Sequence, residues 1–201
     1  NTRSFLKYLF DTLTGTPTVT HRLLYSNVAA GLTPTVSSDP IHGWDNPPVD
    51  LANACDEILT TSTSQGSDDD CTAERACYIT LDLVQPYNGY GCTKVYFTFN
   101  GEGGTGFIAL QVSTNGTDWT TVSTKSGAGN FNFSGYIFSS TKQTGIQYLR
   151  ISVWYEGVPT SPTVYLYINE LCFLVNMKQE TYTPTNPALV YALRIDSFPK
   201  L

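Results

Sequence analysis

Residues 107–122, FIALQVSTNGTDWTTV, constrain this chain more than any other stretch. Ile108, Leu110 and Val112 alternate with Phe107, Ala109, Gln111 and Ser113, the period-two pattern of a strand with one buried face. Thr-Asn-Gly-Thr-Asp follows, and Asn-Gly favours the positive φ angles of a tight reversal. Trp119 to Val122 reads as the returning strand. A hairpin of this kind forces its neighbours to supply the rest of a sheet, and it contains no group that performs chemistry.

The neighbours do read as strands. From Cys77 onward, runs at 77–84, 93–99, 107–113, 118–123, 131–138, 147–154 and 163–175 are separated by turn residues, the signature of an all-β sandwich. His21 to Val28 reads as the first strand. Residues 31–75 are long, polar and rich in Pro and Gly, as a functional loop region or an insertion would be. Residues 1–14 carry Phe5, Leu6, Leu9, Phe10 and Leu13 at helical spacing, although Leu6, Tyr8 and Phe10 also alternate as in a strand. Residues 177–187 form a Pro- and Thr-containing connection, and 188–196 is one further strand-like run.

Several of these pieces resemble the discoidin-like, or galactose-binding-like, β-sandwich domains. "STNGTDWTTV" is similar to the family's S-x-D-G-x-x-W hairpin, and "YITLDLVQPYNGYGCTKVYFTF" to its strand with Asp-Leu, turn and next strand. "IQYLRISVW" resembles the strand with Tyr-x-Arg, and "VYLYINELCFLV" the closing strand with Glu-Leu. "NACDEILTT" matches the family's Asn-Ala-x-Asp-Gly segment at Asn53, Ala54, Asp56 and Thr61, with Glu57 in place of the Gly. The likeness spans roughly residues 35–176. It implies an all-β, jelly-roll β-sandwich (galactose-binding-like) with N- and C-terminal arms: an arm at 1–20, the sandwich at 21–176 and a second arm at 177–201. It also implies that Trp119 is a core residue, and that a structural calcium is held by Asp56 and Glu170. The competing reading of Glu170 is an ion pair with Arg150.

Composition narrows the function classes. A net charge of −6 lacks the basic patch a nucleic-acid partner requires. No run approaches the ~18 apolar residues of a membrane span. Five cysteines cannot all pair within the chain, and Cys55, Cys71, Cys77, Cys92 and Cys172 lack paired C-x-x-C zinc spacing. One or two disulfides in an extracellular or virion-surface setting are expected, with the pairing left open. Asp68-Asp69-Asp70 lacks the alternation of a calcium loop and reads as solvated. Asn115-Gly116-Thr117 and Asn132-Phe133-Ser134 fit the N-glycosylation pattern.

No nucleophile elbow, paired-His metal motif or phosphate loop is present, and His21 and His42 have no partners at ligand spacing. The chain therefore reads as no enzyme. Trp44, Asp45, Tyr87, Tyr90, Trp154 and Tyr155 fall at or near strand ends and loops, where flat rings beside polar groups suit a sugar. Two functions follow. The first is a structural or adhesion subunit of a virion or extracellular filament, joined to other copies or neighbouring proteins through residues 1–14 and 188–196 and touching glycans. The second is a free-standing carbohydrate-binding module.

Overall fold

The computed structural model describes residues 22–37 and 44–180. Ser26–Val175 belong to one compact unit, and Arg22–Tyr25 and Asn176–Glu180 to a second. The segments 1–14 and 188–196, His21 and His42 lie outside the described residues. Among the described residues there is no α-helix, only a 3-10 turn at Leu51–Cys55. The strands are β1 (Arg22–Asn27), β2 (Thr35–Val36), β3 (Gly66–Asp68), β4 (Cys77–Ser113), β5 (Thr120–Ala128), β6 (Phe131–Phe138) and β7 (Gln143–Glu180). Sequence periodicity and structure agree on β6, the run at 118–123 becomes β5 at Thr120–Ala128, and the remaining runs from Cys77 onward merge into the long β4 and β7.

β4 and β7 are too long to cross a single sheet once, and their register shows how they fold back. Residues 77–82 and 104–113 both pair with 148–157, one on each side, and 89–100 pairs with 163–175. β2 adds to the free edge of 77–82, and β5 adds to 104–113. β6 extends 89–100, and β3 extends 163–168. All ladders between these strands are antiparallel, and they link into a single hydrogen-bonded sheet of two groups of passes.

Alternation turns those groups into layers. Ile79, Leu81, Ile108, Leu110, Leu149, Ile151 and Val153 point inward from one group, and Val95, Phe97, Phe99, Leu166, Ile168, Leu171 and Phe173 from the other. They form one buried cluster, so the groups pack face to face as a β-sandwich. Gly106 shows how closely: a Cβ there would strike the Phe99 ring and its Cβ. Burial of this many large apolar side chains, at about 1.5–3 kcal/mol each, is the main stabilising force of the unit.

The central hairpin differs from its sequence reading in two respects. Gly116 alone takes a positive φ, 77°, and the reversal is built from side chains. Ser113 Oγ accepts from the Asn115 and Gly116 amides, and Asn115 Oδ1 accepts from those of Thr117 and Asp118. This is an Asx-stabilised loop rather than a two-residue turn. Trp119, expected in the core, is half-buried on the outer surface, with the Arg150 guanidinium 4.2 Å from its ring centroid.

Candidate functional site

Because side chains alternate along a strand, the inward set Leu149, Ile151 and Val153 fixes Tyr148, Arg150, Ser152 and Trp154 as outward. The register lays four cross-strand pairs down this outer face: Phe107 with Trp154, Ala109 with Ser152, Gln111 with Arg150, and Ser113 with Tyr148. At one end the Phe107 and Trp154 rings stack at 5.1 Å, nearly parallel, and Trp154 Nε1 donates to Glu156 Oε1 at 3.2 Å. In the middle the small side chains of Ala109 and Ser152 are buried.

Arg150 occupies the other end. Its guanidinium lies 4.8 Å from the Tyr78 ring centroid as well as against Trp119, and Nε donates to Gln111 Oε1 at 2.6 Å. Gln111 Nε2 in turn donates to Thr121 Oγ1 at 2.9 Å. Partial burial lowers the pKa of Arg150, but an arginine remains charged throughout the ordinary pH range. Rings, an amide, a guanidinium and a carboxylate thus share one sheet face.

Of the aromatic and acidic residues singled out in the sequence, this face gathers only Trp154. Trp44 is 8% exposed and part of the core, its Nε1 directed at the Tyr78 carbonyl. Tyr155 is 8% exposed and stacked on Phe99, its hydroxyl donating to the Asp69 carbonyl. Neither ring offers a face to a ligand, which corrects the expectation for both. The reason for Tyr155 is parity, since it and Trp154 must point to opposite sides of one strand. Asp45 is exposed and accepts from the Asp69 amide. Tyr87 is half-buried against the core and accepts from Gln85 Nε2, and Tyr90 sits opposite Leu174. Phe107, Tyr78, Gln111, Trp119 and Arg150 share this face with Trp154 and were not singled out in the sequence as site residues; for Phe107, Tyr78, Gln111 and Arg150 the signal was the same two-residue period that places Trp154.

Glu170 lies on the outward side of 163–175, opposite Lys94. It is only 4% exposed, because the loop of residues 53–62 covers it. That loop is tied down by Lys94 Nζ on the Leu59 carbonyl, Asn169 Nδ2 on the Thr61 carbonyl, and the Thr63 amide on the Ile168 carbonyl. Asp56, in the same loop, accepts from the Ile58 amide and from Thr61 Oγ1. Glu57 holds φ at 64°, so the left-handed turn favoured by Gly is kept despite the side chain.

Arg150 is far from pairing with Glu170; the one ion pair among the described residues is Arg75 with Asp70. Glu170 Oε2 has no hydrogen-bond partner among the described residues, and Oε1 lies 3.6 Å from Cys172 Sγ. Burial, then the charges of Asp56 and Glu57, push its carboxyl up to about 8. An orphaned carboxylate oxygen near a second carboxylate and a folded loop fits a hard cation that takes oxygen ligands.

No protein-family model matches the chain, and no curated protein does. Among solved structures it is similar to chitosan-binding module 1 of a chitosanase/glucanase from Paenibacillus sp. IK-5, at 22% identity and a TM-score of 0.43, over 74% of this chain and 98% of that one. It is also similar to the Clostridium perfringens module CpGH89CBM32-4, in complex with glcNAc-alpha-1,4-galactose, at 17% identity and a TM-score of 0.43, over 75% of this chain and 94% of that one. A third likeness is the CBM32 of AlyQ in complex with 4,5-unsaturated mannuronic acid, at 20% identity and a TM-score of 0.43, over 72% and 95% of the two chains.

Proposed function

We propose that this chain is a non-catalytic carbohydrate-binding module that receives a sugar on the outer face of the layer formed by residues 77–82, 104–113 and 148–157. The observation that carries the reading is the Phe107–Trp154 ring pair on the same sheet face as Arg150 and Gln111. Ring surfaces take the apolar C–H face of a pyranose, and the guanidinium, amide and Glu156 carboxylate supply hydrogen bonds to its hydroxyls. The setting that suits such a module is extracellular, with glycans as partners. The segments expected to join copies into an assembly, 1–14 and 188–196, lie outside the described residues, and this face by itself favours ligand binding.

A calcium ion held by Asp56 and Glu170 belongs to the same proposal. Its part is structural: it would neutralise a buried carboxylate and fasten the loop of residues 53–62 to the sheet.

Binding on a broad glycan array, followed by titration of the best hit, tests the ligand reading. Trp154→Ala should weaken binding at least tenfold, about 1.4 kcal/mol, with the domain still folded and only the modest loss of melting temperature that follows removal of a half-buried ring stacked on Phe107. Trp44→Ala should instead lose stability, since it empties a core position. A parent that binds no glycan, or a Trp154→Ala variant that binds as well as the parent, overturns the reading.

A further inference from the structure

Cys71 and Cys77 are fixed to the same short stretch of β7 from two directions. The Cys71 carbonyl accepts from the Tyr155 amide at 2.9 Å, and Thr72 forms a parallel bridge with Tyr155. Cys77 is the cross-strand partner of Val153. Between them the chain turns, with the Arg75 amide on the Thr72 carbonyl. The sulfurs consequently lie within 4.8 Å of one another and of an Asp68 carboxylate oxygen, and the Cys77 amide donates to Cys71 Sγ at 3.1 Å. Both cysteines are buried, at 0% and 1% exposure, and so are out of reach of thiols on other molecules.

We infer that Cys71 and Cys77 are joined by a disulfide in the native protein. As thiols, Cys71 donates to the Val153 carbonyl at 2.7 Å and Cys77 is held by Asp68. Side by side on a backbone clamped at both, the two sulfurs exchange these contacts for a bond to each other when an oxidant is supplied. A structural zinc is the other occupant to weigh, but such sites take four ligands, and only Asp68 joins the two sulfurs among the described residues. The remaining thiols gather elsewhere: Cys55, Cys92 and Cys172 all lie near Glu170.

Formation follows ordinary thiol–disulfide exchange. One thiolate attacks a low-molecular-weight disulfide such as glutathione disulfide and releases its first half, and the second cysteine then attacks the protein sulfur of the mixed disulfide and displaces the second half. The two cysteine sulfurs are oxidised, the reagent's S–S bond is broken, and its two halves leave as thiols carrying the protons. Because the sulfurs are buried in the finished fold, this happens before the loop closes on Tyr155. The bond then clips the acidic segment Asp68–Asp70 to the sandwich.

The test is peptide mapping of the purified protein, equilibrated with glutathione disulfide while unfolded and then refolded. Free thiols are alkylated under denaturing, non-reducing conditions, and the chain is cut on the amino side of aspartates. The fragment 70–81 contains Cys71 and Cys77 and no other cysteine. It should carry no alkyl group and be lighter than its dithiol form by two hydrogens, and it should take two alkyl groups only after reduction. Reduction should also lower the melting temperature of the parent more than that of the Cys71→Ser, Cys77→Ser double variant. The inference is overturned by a fragment doubly alkylated without reduction, by zinc that co-purifies with both thiols free, or by a cross-link from either cysteine to Cys55, Cys92 or Cys172.

Discussion

Arg150 and Glu170 lie on one strand run, β7, and their charges are opposite, yet the sandwich keeps them apart and treats each differently. Arg150 projects from one outer face, where two rings and an amide surround its guanidinium and leave it partly exposed. Glu170 projects from the outer face of the other layer, under a loop, with one oxygen unpartnered and acidic neighbours. A delocalised cation can be shared with ring quadrupoles without leaving water entirely. A carboxylate has no such option: when covered, it takes a proton, a donor or a metal. The first arrangement leaves rings and charge at a surface, and the second leaves a covered carboxyl with one oxygen still to be satisfied.

The largest test of that contrast is calcium. Adding calcium in hundredfold excess over its dissociation constant should stabilise the parent by about 2.7 kcal/mol, read as a rise in melting temperature that a chelator reverses. Glu170→Gln should abolish the rise without destabilising the calcium-free protein, since a carboxyl raised to about 8 is already neutral near pH 7 and the amide keeps its size. Arg150→Lys should leave the rise intact. A parent indifferent to both calcium and chelator removes the metal from the account.

Proton linkage gives the next effect. Without calcium, the Glu170 carboxyl titrates near 8 in the fold against an ordinary 4.5. Between those values the folded state holds a proton that the unfolded chain has released. The contribution is therefore full below about 4.5 and declines as pH rises, levelling off above about 8. Asp68, raised chiefly by burial, acts in the same direction. Melting curves across this window should fall with pH in the parent and be flatter in Glu170→Gln. A parent whose stability rises through the window would mean that Glu170 is not raised.

The smallest effect belongs to the ring cage. Trp119→Ala should cost about 1 kcal/mol, the scale of an exposed cation–π contact plus some lost packing, rather than the ~3–5 kcal/mol of a deleted core aromatic. A loss at the upper figure in denaturant unfolding would return Trp119 to the core and erase the distinction between the two faces.

The sequence by itself determined the strands and much of their order. Period-two alternation in 107–113, 131–138 and 147–154 is a local property, written in consecutive residues, and the structure places strands there. The family resemblance also marked Asp56 and Glu170 as residues to consider together, and Trp154 and Tyr155 were both marked as rings near a strand end. Tertiary structure alone decided the rest. Alternation says that Trp154 and Tyr155 face opposite ways, but only pairing with 104–113 and the second layer decides which way is in. Arg150 and Glu170 could pair on paper, and the fold-back of β7 between layers separates them. Five cysteines had no readable partners until the register of Val153 and Tyr155 brought Cys71 beside Cys77. The physical reason is the same each time: burial, pKa and contact depend on what lies across the sheet, and in β4 and β7 the residue across is dozens of positions away in the chain.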